Sequence, residues 1–201
     1  PAGMAAAYYL ARLGAKVTIY EKRERLGGVV SAIIPNFRID DSVIAKDAAL
    51  LEKLGVKVLY NTEAPAVDVL KKEYDSVILA VGAYKRGELK LEGGEAQNAL
   101  AFLEDYNRTN GKMAIGKNVV VIGGGNVAID CARNAHRLGA SEVSMFCLES
   151  RDEMPASREE VAEAEEENIK VNPSWGPKEV LVDEGGKVTG IVLKKCVRTI
   201  D

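Results

Sequence analysis

Hydrophobic and polar positions along the chain alternate between two periods. Residues 5–13 are small and apolar and end on Gly14, which predicts a tightly packed helix closed by a glycine cap. Residues 16–20 form a short β-branched run, by composition and length a buried strand. Asp41 and Ser42 can cap a second helix over 43–54, ended by Gly55, and strands are predicted at 56–60 and 76–81. This helix–strand alternation implies a parallel sheet covered by helices. Residues 82–116 break the rhythm, with a polar, glycine-bearing stretch over 85–94 and one helix candidate over 98–107. It resumes with a strand at 118–122, a helix at 127–138 before Gly139, and a strand at 142–147. Ser157-Arg158-Glu159-Glu160 fits a capping box ahead of a Glu-rich helix reaching residue 167, whose glutamates read as a solvated face. Residues 177–182 and 187–194, joined by Asp183-Glu184-Gly185-Gly186, read as a β-hairpin. The expected fold is α/β, with two Rossmann-like dinucleotide-binding units. An incomplete unit over 1–84 and a connection over 85–116 precede a second unit over 117–201, inserted into the first.

The glycines give this frame its chemistry. Gly123-Gly124-Gly125-Asn126-Val127-Ala128 matches G-x-G-x-x-A between a predicted strand and a predicted helix. Gly123 permits the tight turn, Gly125 lets the backbone approach a pyrophosphate, and Ala128 lets the helix pack on the strand while its first N–H groups face the phosphates. Past the second strand of that unit lies Glu149, whose carboxylate can accept from a ribose 2′-hydroxyl and repel a 2′-phosphate. Arg151 and Arg158 are the competing features, since either could turn toward a 2′-phosphate; the acid favours NADH over NADPH. Pro1-Ala2-Gly3 reads as the last half of a second such loop, with Gly3 the helix-packing glycine. Glu21 ends the next strand 18 residues after Gly3, near the separation of roughly 20 expected of a ribose-binding acid.

Composition narrows the classes further. The net charge of −3 gives no reason to expect nucleic acid or an anionic membrane as partner. No apolar run approaches the roughly 18 residues of a membrane span. Cys131, Cys147 and Cys196 are too few and scattered for a disulfide framework or a metal site, and fit reduced thiols in a cytoplasmic protein. There is no C-x-x-C for a redox dithiol, and the single histidine, His136, reads as a surface residue late on a helix. Cys131 reads as a packed small hydrophobe. No side chain stands out as catalytic, as expected where cofactors carry the reaction. Pro1 runs straight into a helical pattern and Asp201 follows a strand-like run, so the chain is expected to be part of a longer polypeptide.

Several longer runs carry a resemblance: P-A-G-M-A-A-A-Y-Y-L-A-R-L-G at 1–14, E-K-R-E-R-L-G-G at 21–28, I-P-N-F-R-I at 34–39, G-G-G-N-V-A-I-D at 123–130 and E-M-P-A-S-R-E-E-V at 153–161. Over essentially its whole length the chain resembles the glutamate synthase small (β) subunit family. Relatives of that family include the N-terminal flavin region of dihydropyrimidine dehydrogenase and the flavin subunit assigned to selenate reductase. The resemblance implies FAD in the first unit and NAD(P)H in the second, with hydride passing to the flavin and electrons on to iron–sulfur clusters of a partner domain or subunit. It implies FAD contacts by Glu21, Leu26, Gly28 and Arg38, with Ala64 touching through its backbone. It implies nicotinamide-nucleotide contacts by Gly124, Gly125, Asn126 and Val127. Members that use NADP carry a basic pair where this chain has Leu148-Glu149, in line with NADH. The first glycines of the FAD loop and the strand before them lie outside this sequence, so weak FAD retention by these residues alone is expected. A non-catalytic, dinucleotide-binding regulatory module is the competing reading, because fold alone does not establish function.

Overall fold

The computed structural model describes residues 1–84, 87 and 89–199. Lys85, Arg86 and Glu88 of the polar stretch over 85–94 lie outside the described residues, as do Ile200 and Asp201. The chain divides into two compact units, Pro1–Lys85 and Arg86–Asp201.

The first unit holds α1 (Ala2–Arg12), β1 (Thr18–Tyr20), α2 (Val29–Ala32), α3 (Asp41–Lys53), β2 (Lys57–Leu59) and α4 (Val67–Glu73). β1 and β2 run parallel, with Tyr20 opposite Leu59. Ala7 of α1, Leu51 of α3, Leu26 and Val56 make a buried cluster flanked by Val17, Ile19 and Val58. Asp40 caps α3, its carboxylate accepting from the Ser42 N–H at 2.8 Å. The predicted strand over 76–81 does not form. A β-branched run gains ladder bonds only beside another strand, and no described strand pairs with it; Ile78, Leu79 and Val81 are exposed. α4 was not anticipated, since its apolar residues Val67, Val69 and Leu70 fall within seven residues, too short a segment to show a period.

The second unit holds α5 (Ala99–Arg108), β3 (Asn118–Ile122), α6 (Asn126–Arg137), β4 (Glu142–Phe146), α7 (Arg158–Glu166), β5 (Lys170–Asn172), β6 (Trp175–Val182) and β7 (Val188–Lys195). β3, β4 and β5 form a parallel sheet in that order, and β6 and β7 form the hairpin, which starts two residues earlier than expected. β5 has only the three residues Lys-Val-Asn, too short for alternation to show. The core sits where α6 covers the sheet: Ile129, Ala132, Met145, Ala164 and Leu103 of α5 are all essentially inaccessible. α5 packs on α6, the Cys131 thiol reaching the Ala99 carbonyl at 3.7 Å. The Glu92 carbonyl accepts from the Val180 N–H at 2.8 Å, which fastens that loop to β6.

Three helices end alike. After α1, α3 and α6, Gly14, Gly55 and Gly139 take positive φ (89°, 80° and 94°). The next residue's N–H then reaches back to Leu10, Leu51 or Ala135, satisfying carbonyls the helix end leaves open.

The Glu-rich helix α7 is not a solvated face throughout. Arg133 of α6, 8% exposed, donates to Glu163 and to Glu167 (2.8 Å), and Arg137 reaches the same Glu167 oxygen at 2.6 Å. Ser157 caps the helix through its hydroxyl, which accepts from the Glu160 N–H at 3.2 Å. The reciprocal box expected there is found at Ser150 and Glu153 instead, on the 3-10 turn Arg151–Glu153.

Burial opposes ionisation of Glu167, but the hydrogen bonds and charges of Arg133 and Arg137 outweigh it and hold the carboxyl below its usual range. Its contribution to stability is therefore present above the ordinary carboxylate range and lost as pH falls through the lowered value. Glu167→Gln should cost about 1–3 kcal/mol at neutral pH in urea melts, the loss of a charged hydrogen-bond partner to a buried group. The gap from the parent protein should narrow as pH is lowered from about 5 to about 3. A gap independent of pH would show that the ion pairs do not stabilise the α6–α7 contact.

Candidate nucleotide-binding sites

In the second unit β3 and β4 are in register from Asn118↔Glu142 to Ile122↔Phe146, so the residues after each strand arrive side by side. Gly123 continues the pairing, its N–H donating to the Phe146 carbonyl at 2.9 Å, and turns the chain at φ 138°. Gly125 is the N-cap of α6, and no side chain caps that first turn. Backbone donors and the positive end of the helix thus face outward beside Gly125, an arrangement suited to a diphosphate.

Gly124, between them, is buried, and a side chain there would crowd its neighbours. A Cβ placed there would lie 3.0 Å from the Cys147 Cβ and 3.0 Å from the Glu149 Oε2, with the Cys147 Sγ at 3.3 Å. The acid expected to read the ribose therefore lies directly against the glycine loop. Its backbone is held as well: the Glu149 carbonyl accepts from the Ser174 N–H and the Cys147 carbonyl from the Trp175 N–H, both at 2.8 Å. Burial, and then the Glu149 charge, push the Cys147 thiol upward, so this wall stays protonated and adds no negative charge of its own. Leu148 points the other way, its Cδ2 2.6 Å from where a Gly176 Cβ would stand.

A second backbone segment closes on the loop. The Ala156 N–H donates to the Gly124 carbonyl at 3.0 Å, and the Ser157 N–H to the Asn126 Oδ1 at 2.9 Å. This explains the missing half of the capping box, because the Ser157 N–H is already engaged. Pro155 lies 3.9 Å from the Cβ position of Gly125. Val127 stays half exposed on the first turn. Of the two competing cations, Arg151 is held by both oxygens of Glu165, at 2.7 and 2.6 Å, whereas Arg158 is exposed at the start of α7. Cys131 is no candidate nucleophile: burial, with Asp130 beside it, pushes its thiol up to about 12. His136 is exposed in the last turn of α6.

In the first unit the sequence-predicted residues gather more loosely. Gly3 is in the first turn of α1, with Ala80 at 3.3 Å from its Cβ position. Gly28, the N-cap of α2 at φ 57°, faces Pro1 at 3.5 Å, so the start of α1 and the Leu26–Gly28 turn adjoin. Glu21 follows β1, and its carboxylate accepts from the Arg23 N–H at 2.9 Å. The Thr62 N–H donates to the Glu21 carbonyl, which brings the exposed loop carrying Ala64 beside that acid. Leu26 is a core residue whose side chain packs with Ala7, Leu51 and Val56, leaving its backbone for any cofactor contact. Arg38 is half-buried over the Phe37 ring. Sequence reasoning missed Cys147, Ser174, Gly176 and Ala156. The E-M-P-A-S run was the one visible sign that residues 153–157 matter.

An α/β fold with Rossmann-like units and a strand–glycine–helix cradle for a diphosphate is that of an FAD- and NAD(P)H-binding oxidoreductase. The pyridine nucleotide-disulphide oxidoreductase profile matches residues 1–201, and the chain belongs to that family. It is 38% identical to the NADPH-Fe(3+) oxidoreductase subunit beta of Geobacter sulfurreducens, over 98% of this chain and 30% of that protein. It is 34% identical to the glutamate synthase [NADPH] small chain of Escherichia coli, over 99% of this chain and 45% of that one. The chain thus spans less than half the length of either relative. Mycobacterium tuberculosis FprA in complex with NADPH superposes with a TM-score of 0.75 at 19% identity, over 96% of this chain and 61% of FprA, a likeness of fold. Among the described residues no helix is long and apolar enough to cross a membrane.

Gly124→Ala should force the loop off Cys147 and Glu149. Overpacking of this kind costs about 1–3 kcal/mol, and nucleotide affinity should fall at least about tenfold as the phosphate-facing N–H groups move. Calorimetric titration with NADH reads the loss; unchanged affinity would show that the loop adapts without its glycine.

Proposed function

We propose that this chain is the nucleotide-binding part of a flavoprotein oxidoreductase that accepts hydride from NAD(P)H, NADH favoured, and feeds electrons to iron–sulfur centres of a partner domain or subunit. On this reading residues 1–84 serve FAD, 85–116 connect, and 117–201 serve the nicotinamide nucleotide. When both are bound, the nicotinamide supplies a hydride and the flavin accepts it, splitting a two-electron donation into single electrons. The chain's own residues bind and orient. Gly123, Gly124, Gly125, Asn126 and Val127 present the loop and helix start to the diphosphate. Glu21 and Glu149 accept from ribose hydroxyls, with Gly3, Leu26, Gly28, Arg38 and Ala64 around the flavin nucleotide.

One observation carries the reading: the Glu149 carboxylate lies 3.0 Å from the Cβ position of Gly124, where an acid meets the ribose of a nucleotide seated on that loop. It also supports the choice of nucleotide. Against a 2′-phosphate the carboxylate places like charges a few ångströms apart, a cost on the order of a few kcal/mol when partly desolvated. The relatives named above carry NADPH in their names; the resemblance implies a basic pair in NADP-using members where this chain has Leu148-Glu149.

The full-length protein should hold flavin that bleaches anaerobically on adding NADH. It should prefer NADH to NADPH at least about tenfold, equivalent to roughly 1.4 kcal/mol. Leu148→Arg with Glu149→Arg should erase or reverse the preference, because guanidinium groups suit phosphate oxygens. Reduction rates and dissociation constants for both nucleotides are the measurement. A parent protein preferring NADPH overturns the NADH assignment, and one that binds nucleotide without bleaching points to a regulatory module.

A further inference from the structure

The cation nearest Glu149 along the chain is on the same loop. Arg151 follows it by two positions, at the start of the 3-10 turn. Its charge reaches the site's wall, where it acts on the Cys147 thiol that abuts Gly124. A guanidinium so placed is well suited to a phosphate, being a planar fork of donors that stays charged at any working pH. Left free, it would counter the repulsion that Glu149 exerts on a 2′-phosphate.

It is not left free. Both terminal nitrogens are taken by the two oxygens of Glu165, at 2.7 and 2.6 Å, a bidentate pair. Glu165 is itself well anchored, because α7 is capped by Ser157 and tied to α6 through Arg133 and Arg137. The Arg151 hydrogen bonds hold the Glu165 carboxyl below its usual range, so the pair stays ionised at neutral pH. Both side chains are almost half exposed, at 45% and 42%, and opening a pair of that kind costs little stability. Its effect is to direct the cation, not to hold the fold.

We propose that Glu165, outside the nucleotide site, is a specificity-determining residue that withholds the Arg151 guanidinium from a ribose 2′-phosphate and so reinforces the choice of NADH. The proposal rests on the reading that the second unit seats a nicotinamide nucleotide with its adenosine ribose at Glu149. The determinant is therefore shared between an acid that repels the phosphate and an acid that occupies the cation able to attract it.

The test is equilibrium binding of two probes to the full-length protein: ADP-ribose, which has the 2′-hydroxyl, and 2′,5′-ADP, which has the phosphate. Glu165→Gln should tighten 2′,5′-ADP about fivefold, the scale of freeing one half-exposed pair, and change ADP-ribose by less than about twofold. Glu166→Gln removes the same charge from an exposed neighbour on α7 that has no part in the pair, and should leave both affinities within about twofold. Arg151→Ala with Glu165→Gln should return 2′,5′-ADP to the parent value. Arg151→Ala alone, which does not depend on the Glu165 variant folding, should leave 2′,5′-ADP within about twofold, because the cation it removes is already occupied. The proposal is overturned if Glu165→Gln shifts nothing or Glu166→Gln gives the same gain. It is equally overturned if the gain survives loss of Arg151, or if Arg151→Ala alone weakens 2′,5′-ADP fivefold. A parent protein that binds neither probe fails the underlying reading; one that binds ADP-ribose but shows no shift fails only the role of Glu165.

Discussion

The second unit is organised around a place where any side chain would crowd its neighbours. The buried Gly124 backbone is met by Cys147 and Glu149 from the end of β4, and its carbonyl takes the Ala156 N–H. The parallel register of β3 on β4 makes this approach inevitable, since it ends both strands at one level, Ile122 beside Phe146. Everything with chemical meaning follows from that approach: the glycine turn, the start of α6, the acid beside the turn, and the segment over 154–157 laid across it. A diphosphate-binding loop needs open N–H groups on one side and solid packing on the other. Here the packing is a neutral thiol, a carboxylate and a neighbouring backbone.

The charges of this unit fall into one that meets the loop and several that meet one another. Glu149 is in contact with the loop, Arg151 is two residues further along the chain and paired with Glu165, and the Arg133–Glu163–Glu167–Arg137 cluster joins α6 to α7. The first has its carboxylate against the loop, and the others neutralise each other while fixing the two helices. Arg151, two residues on from Glu149, is thus engaged by another carboxylate.

Legibility in the sequence followed the length and regularity of each signal. The helices ending at Gly14, Gly55 and Gly139, the strands at 118–122 and 142–147 and the G-x-G-x-x-A loop were readable because each combines a period with a punctuating residue. β5 and α4 were not, being too short to show a period. The strand expected at 76–81 failed for another reason: composition reports what a segment could do beside a partner, and ladder formation is a property of two segments. At the site, Glu149 could be found by counting from the glycines. The contacts of Ala156, Ser174 and Trp175 are backbone hydrogen bonds, which any residue type can make, so no residue identity advertised them. The glutamates of α7 misled for the converse reason. Their identity suits solvent, and only the fold brings Arg133 beneath them.

The notch at Gly176 bears on how such a site can change over generations. The Leu148 side chain occupies the space a Cβ at Gly176 would need, its Cδ2 2.6 Å from where that atom would stand. Leu148 is itself 50% exposed, and the atom in the way is the far end of its flexible side chain, so a residue larger than glycine at 176 can be seated if Leu148 turns outward. The two positions are therefore coupled: filling the notch from 176 exposes more of an apolar side chain at 148, and a polar residue at 148 would remove that cost.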